Sequence, residues 1–222
     1  MQARKAKLPG SKPGVKLGFP SVAISRTGLA LCAGSDGTVY TYNNGALGKT
    51  FKNTHSKMIS CINVVPHPTK PTSELVITGG ADKIILLHEL DGNKNLTKLG
   101  VAYTVLATPR SVDFMGDQIL AGLSNGTVLE LKNVLADPTK IECEIHIRSH
   151  SDGEAWGLAV VESGEDKCLY FTSGDDNTIL LYSRAAKKCI GEGRISTVDD
   201  IKTLPKKKKR GGASSQSNLH PH

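Results

Sequence analysis

The sequence predicts an all-β chain of about four four-stranded antiparallel sheets. Three observations predict it. One text recurs: Thr172-Ser-Gly-Asp-Asp-Asn-Thr-Ile-Leu-Leu-Tyr182 is matched by Ala33-Gly-Ser-Asp-Gly-Thr-Val-Tyr-Thr-Tyr42, by Thr78-Gly-Gly-Ala-Asp-Lys-Ile-Ile-Leu-Leu-His88 and by Ala121-Gly-Leu-Ser-Asn-Gly-Thr-Val-Leu-Glu-Leu131. The anchors Asp36, Asp82, Asn125 and Asp176 align without a gap, at spacings of 46, 43 and 51 residues. Each anchor sits in a small polar turn followed by an apolar strand, and that turn at that period marks a propeller blade of four strands.

The elements follow in order. Residues 1–17 are rich in Lys, Gly and Pro and form a basic extension. The repeats occupy 18–200, with blades expected at about 18–53, 54–106, 107–148 and 149–196. In the first, Ser21–Ser25 is a short strand, Leu29–Gly34 and Thr38–Tyr42 form a hairpin, and Ala46–Lys52 supplies an outer strand. The hairpin rests on Asp36-Gly37, because Gly tolerates the positive φ such a turn needs. In the second, Met58–Val65 leads through a Pro-rich loop to Glu74–Gly79, Lys83–Glu89 and Leu96–Thr104. The third runs Arg110–Met115, Gln118–Gly122, Gly126–Lys132 and Ile141–Ile147, the last alternating as a half-buried strand does. The fourth runs Ala155–Val161, Cys168–Ser173, Thr178–Ser183 and Lys188–Arg194. Residues 201–222 have the composition of a basic, Gly/Ser-rich loop or tail. No fifth unit follows, so the expected ring is incomplete, with open blade edges through which copies can associate.

Composition narrows the function. No apolar run is long enough for a membrane span, and no secretory leader core is present. The five cysteines, Cys32, Cys61, Cys143, Cys168 and Cys189, are odd in number and form no CxxC pair, which points to a reducing compartment rather than a disulfide or zinc scaffold. The net charge of +7 is unevenly placed. Ten of the 28 basic residues lie in 1–16 and 205–222, which hold no acid, leaving 18 basic against 21 acidic residues between them. The body is slightly acidic and its ends are basic.

Two histidines, His55 and His150, each precede an inner strand, and Thr78 and Thr172 lie four residues before Asp82 and Asp176. These are the positions of the His–Ser/Thr–Asp network of WD40 blades. A buried tight turn leaves amides that need a fixed acceptor, and an Asp held by a His supplies one. The pair could also be read as a catalytic dyad. Its recurrence, with no nucleophile beside it, favours the structural role, and no enzymatic activity or cofactor is expected. The strand-end Trp of such repeats is replaced by Tyr42, His88, Leu131 and Tyr182. Gly48-Lys49-Thr50 is no phosphate loop, since Asn43 stands where that motif requires Gly. The triplets at Asn95 and Asn125 are turns rather than glycosylation sites in a chain without a secretory signal. Trp156, the only Trp, is expected to anchor the core at the start of an inner strand. The run Lys206, Lys207, Lys208, Lys209 and Arg210 admits several readings: a nuclear address, a contact to an acidic surface, or a solvated loop. Sequence-specific nucleic-acid binding is not expected, because no aromatics interleave the lysines.

Three segments resemble the echinoderm microtubule-associated protein-like (EML) family of WD-repeat proteins. His150-Ser-Asp-Gly-Glu-Ala-Trp-Gly-Leu-Ala159, with Gly153, Glu154, Trp156, Gly157 and Leu158, is similar to a His-x-x-Gly-Glu-x-Trp-Gly-Leu-Ala segment of that family. Thr108–Phe114 with Ile119–Thr127 resembles its Arg-Ser-Val strand and following hairpin, and Gly211–Ser215 resembles a linker between its blades. The resemblance implies a propeller in a cytoskeletal scaffold with tubulin or microtubules as partner, in the cytoplasm or in a cilium or axoneme. The chain lacks the N-terminal coiled coil of some members and holds about four of the family's dozen or so repeats, so it is expected to be a truncated or partial member. The alternative is a generic WD40 adaptor of nucleus or cytoplasm.

Overall fold

The computed structural model describes residues 16–148, 150, 153–161, 169–186 and 188–194. All regular elements among them are strands, in four antiparallel sheets whose strand order follows the sequence. Blade 1 comprises β1 (Ser21–Ile24), β2 (Ala30–Ala33), β3 (Val39–Asn43) and β4 (Ala46–Phe51). Blade 2 comprises β5 (Ile59–Pro66), β6 (Glu74–Gly80), β7 (Ile84–Leu90) and β8 (Leu96–Thr104). Blade 3 comprises β9 (Pro109–Met115), β10 (Gln118–Leu123), β11 (Thr127–Lys132) and β12 (Glu142–Arg148). Blade 4 comprises β13 (Ala155–Val161), β14 (Leu169–Gly174), β15 (Thr178–Ser183) and β16 (Lys188–Arg194). Within each blade the second and third strands are joined by the anchor turn. The residue after the anchor takes positive φ in all four, as Gly37, Lys83, Gly126 and Asn177. Glycine bears that conformation without strain, and Asn is tolerated there better than most residues.

The inner strands line up side by side, β1 on β5, β5 on β9 and β9 on β13, with no comparable packing of β13 on β1 among the described residues. The core therefore lies between blades rather than within one. Leu31, Ala33 and Val39 of blade 1 pack with Ile62 and Val76 of blade 2. Ile77 and Leu87 of blade 2 pack with Val112, Ala121 and Leu129 of blade 3. Met115, Leu120 and Val128 of blade 3 pack with Tyr170, Leu180 and Tyr182 of blade 4. Period-two strands make this possible, because alternate residues supply opposite faces of each sheet.

One expectation needs correction and one element a closer description. In β12 the pairing register skips His146 between Ile145 and Ile147. The His146 side chain is 2% exposed while Ile145 is 56% exposed. An ionic network, described below, draws His146 inward. Trp156 is not a core anchor. It sits in a bulge of β13, skipped between Ala155 and Gly157, and is half exposed. The bulge turns the ring out of the strand's alternation.

Candidate functional site

The anchor turns are built the same way in every blade. The side-chain oxygen of Asp36, Asp82, Asn125 and Asp176 accepts the amide two residues on, from Thr38, Ile84, Thr127 and Thr178, at 3.1–3.2 Å. The amide just before each anchor donates to the segment entering the inner strand: Ser35 to Gly18, Ala81 to Met58, Ser124 to Thr108 and Asp175 to Glu154. A short carbonyl-bearing side chain is therefore required, and Asn satisfies the turn as well as Asp.

What holds the anchor differs between blades. In blade 2, His55 Nδ1 lies 3.0 Å from Asp82 Oδ1 and Nε2 lies 2.9 Å from Thr78 Oγ1. In blade 4, His150 Nδ1 lies 2.9 Å from Asp176 Oδ1 and Nε2 lies 3.0 Å from Thr172 Oγ1. A carboxylate only accepts, so Nδ1 carries the proton and Nε2 accepts from the threonine hydroxyl. Burial pushes the His55 pKa down, against the pull of Asp82. For Asp82, burial acts upward, but the His55 hydrogen bond and the amides of Ser56 and Ile84 outweigh it and lower the carboxyl. At Asp176, burial is likewise outweighed by hydrogen bonds from Thr178 and His150, which hold the group at about 2. In blade 1, Tyr40 replaces the histidine, and its hydroxyl donates to Asp36 Oδ2 at 2.7 Å. In blade 3 the anchor is the uncharged Asn125, with no histidine or tyrosine partner among the described residues.

The same logic explains the residue two before each anchor. A Cβ on Gly80 would collide with His55 Nδ1 and Asp82 Oδ1, and one on Gly174 with the His150 ring. In blade 3 the place belongs to Leu123, fully buried in the joint with blade 2. Chemically, the triads have little freedom to react. His55, His150, Thr78 and Thr172 are each at most 4% exposed, and both ring nitrogens of each histidine are engaged. A general base must reach a substrate proton, and these point at their own blade.

The segment around Trp156 forms a clasp between blades 3 and 4. Arg110 meets the Glu154 carboxylate with two nitrogens, Nε at 2.6 Å and Nη2 at 2.8 Å, and its guanidinium lies 4.9 Å from the Trp156 ring centre. Trp156 Nε1 donates to Asp175 Oδ1 at 2.6 Å, and Glu154 N donates to Asp175 Oδ2 at 2.9 Å. Gly153, at φ 79°, leaves room for the Asp175 carboxyl, and Gly157 leaves room for Ser173 Oγ. Leu158 packs against the core shared with blade 3. The segment Lys206–Arg210 lies outside the described residues, as does Cys168.

One cluster was not anticipated from the sequence. Glu130 is 1% exposed, yet its carboxylate meets Arg184 Nη2 and His146 Nε2, each at 2.5 Å. Burial would raise the Glu130 pKa, but hydrogen bonds from His146 and Arg184 outweigh it and lower it. Beside it Lys132 pairs with Glu144 at 2.5 Å, which raises the lysine pKa. Glu130, Glu144 and His146 place donor atoms within 4.8 Å of one another, a spacing that could hold a metal. Arg184 and Lys132 already supply the positive charge, so the cluster works as an ionic tie from β11 and β12 to the end of β15. The signal available was a single charged residue inside the apolar run Thr127–Leu131.

No family model matches the chain. It is 35% identical over 196 residues to the ciliary WD repeat-containing protein ctxp80 of Euplotoides octocarinatus, which covers 87% of this chain and 23% of that protein. The chain thus spans about a quarter of the length of that relative. Its fold is similar to the crystal structure of the computationally designed Ika4 protein, with a TM-score of 0.53 at 14% identity, covering 82% of this chain and 99% of that one. With four antiparallel four-stranded sheets, the recurring anchor turns and similarity to a WD-repeat protein, the chain is an all-β propeller of the WD40 type with about four blades.

Proposed function

We propose that the chain is a non-enzymatic scaffold that docks proteins, of the microtubule- or axoneme-associated EML type. One observation carries the non-enzymatic half. The groups of the His–Asp pairs, which could otherwise be read as catalytic dyads, are His55, His150, Thr78 and Thr172, and they are sealed inside blades and spent on holding turns. Rigid sheets then present their connecting loops as contact surface, the usual use of such a scaffold. The ciliary half draws on the similarity to a protein named as ciliary and on the Trp156 segment described above.

The test is a tagged chain in ciliated cells combined with co-sedimentation on purified microtubules. Axonemal or filament decoration together with pelleting is expected. A diffuse nuclear signal without pelleting would replace this reading with that of a nuclear adaptor addressed by Lys206–Arg210.

A further inference from the structure

Each internal joint of the propeller uses the same two faces. The face of a blade that carries the residue just after the Thr178 position, Val39, Ile85 and Val128 in blades 1 to 3, packs forward, and the face that carries the Thr78 and Thr172 positions receives the blade before it. The registers fix both sets. On blade 4 the forward face holds Ala159, Phe171 and Leu181 in one row, with Ile179 in the next. On blade 1 the receiving face holds Val22, Cys32 and Tyr40 in one row and Ile24, Ala30 and Tyr42 in the next. The equivalents of Phe171 and Ile179 are fully buried in the internal joints, as Leu31, Ile77 and Leu120 and as Val39, Ile85 and Val128. Those of Val22 in blades 2 and 3, Ile62 and Val112, are buried too, while those of Ile24, namely Val64, Phe114 and Val160, are half-buried against the joint cores. Four of the large apolar residues on these faces are uncovered among the described residues, Phe171 at 39%, Ile179 at 41%, Val22 at 59% and Ile24 at 68%, whereas Tyr40 and Tyr42 are each only 8% exposed. Phe19 lies edge-on to Tyr40 and Tyr42 and covers only those rings.

The bulge residues tell the same story. In blades 2 and 3 the residue skipped at the start of the inner strand reaches across to the next blade. Ser60 of blade 2 donates to Pro109 O of blade 3 at 2.5 Å, and Arg110 of blade 3 grips Glu154 and stacks on Trp156 of blade 4. Trp156 holds that position in blade 4, and its ring is 52% exposed. Arg110 and Asp175 hold the indole in place, and its exposed half meets no further described blade.

We infer that these two faces are the halves of one blade joint, and that a second copy of this chain fills it head to tail. Blade 4 of each copy seats on blade 1 of the other, and Trp156 closes over the start of the partner's inner strand. The interface is heterologous, so it must either close or run on as a filament. Two copies of the four described blades close a ring of eight, within the range of known propellers, whereas three copies would exceed it. The occupant is argued from the joint itself: forward and receiving faces are already complementary three times within the chain. The inference stands apart from the proposed function and holds whatever protein the ring binds.

Sedimentation equilibrium of the full chain tests it directly. A mass twice the 23.6 kDa of the chain is expected. A monomer, or a mass that climbs with concentration past the dimer, overturns it. Two variants then assign the faces, each checked for a cooperative melt. Phe171→Glu spoils the forward face and Ile24→Glu the receiving face, so each alone should be monomeric. Mixed, they retain one unaltered joint and should regain a dimer. Should Ile24→Glu remain dimeric while Phe171→Glu does not, the contact is forward face to forward face and the inference fails. Failure of the mixture to recover, with both variants folded, overturns it equally.

Discussion

A single carbonyl-bearing side chain at each anchor does the same work four times, and its partners show what else each blade needs. Asp176 accepts from the Thr178 amide at 3.1 Å and from its hydroxyl at 2.6 Å, besides facing His150. Asp176→Ala leaves those donors unmet, so it should cost about 1–3 kcal/mol if they stay dry. A thermal melt checks this, and an unchanged Tm would show that the turn finds other acceptors. His88 gives a second residue-level prediction. It is buried on the receiving face of blade 2, and burial pushes its pKa down from 6.5 to about 4. A base with a depressed folded pKa gives stability that is complete above the unfolded pKa and falls as the unfolded chain takes up the proton first. The loss therefore runs from about pH 6.5 down to about pH 4. His88→Leu should flatten the denaturation midpoint over that window, and an unaltered slope would assign the acid sensitivity to other groups. At this scale the sequence was informative where a residue type answers a local need. Asp, Asn and the following left-handed residue are dictated by a turn of a few atoms, the threonines stand four residues before the anchor, and the histidines 27 and 26 residues before it. Tyr40 as a substitute for histidine was not legible, because the contact depends on a rotamer rather than on a spacing.

At the scale of elements, period-two patterning located the strands, and their ends fall within a residue of those read from the sequence wherever the structure describes them. The pattern does not say which phase faces inward. In β12 the ionic tie decided that at one position, burying the His146 side chain against Glu130 and leaving Ile145 outside. No local signal joins Glu130 to Arg184, which lie far apart in the sequence and meet only because blade 4 packs on blade 3. Trp156 was misread for a related reason, since a bulge shifts one residue off the alternation and only the pairing register reveals it. The tie makes a prediction. Arg184→Met leaves a carboxylate that is 1% exposed with His146 as its remaining close partner. Breaking a buried pair from one side costs roughly 3–5 kcal/mol, whereas replacing both sides with apolar residues of similar size is often neutral. A denaturant melt should thus find Glu130→Leu/Arg184→Met more stable than Arg184→Met alone. Equal stabilities would mean that Glu130 is rescued by its other neighbours.

At the scale of the whole molecule, the question is how a slightly acidic body could hold a microtubule. The proposal supposes a strongly acidic partner surface. Between the two ends the chain carries 18 basic against 21 acidic residues, so its body offers no net attraction. The ends carry five basic residues each and no acid, and on charge alone they must supply the long-range pull. Attraction between charges in water is screened over about 8 Å at physiological salt, and over shorter distances as salt is added. Co-sedimentation with microtubules should therefore fall steeply between low and moderate ionic strength. Replacing Lys206, Lys207, Lys208, Lys209 and Arg210 with Ser should weaken it further at every salt concentration, while the melting transition of the blades stays where it was. The two perturbations act on one term, so the Ser-replaced chain should also show a shallower salt dependence. Binding that withstands both would move the contact to the blade loops, where shape rather than charge would have to hold the partner.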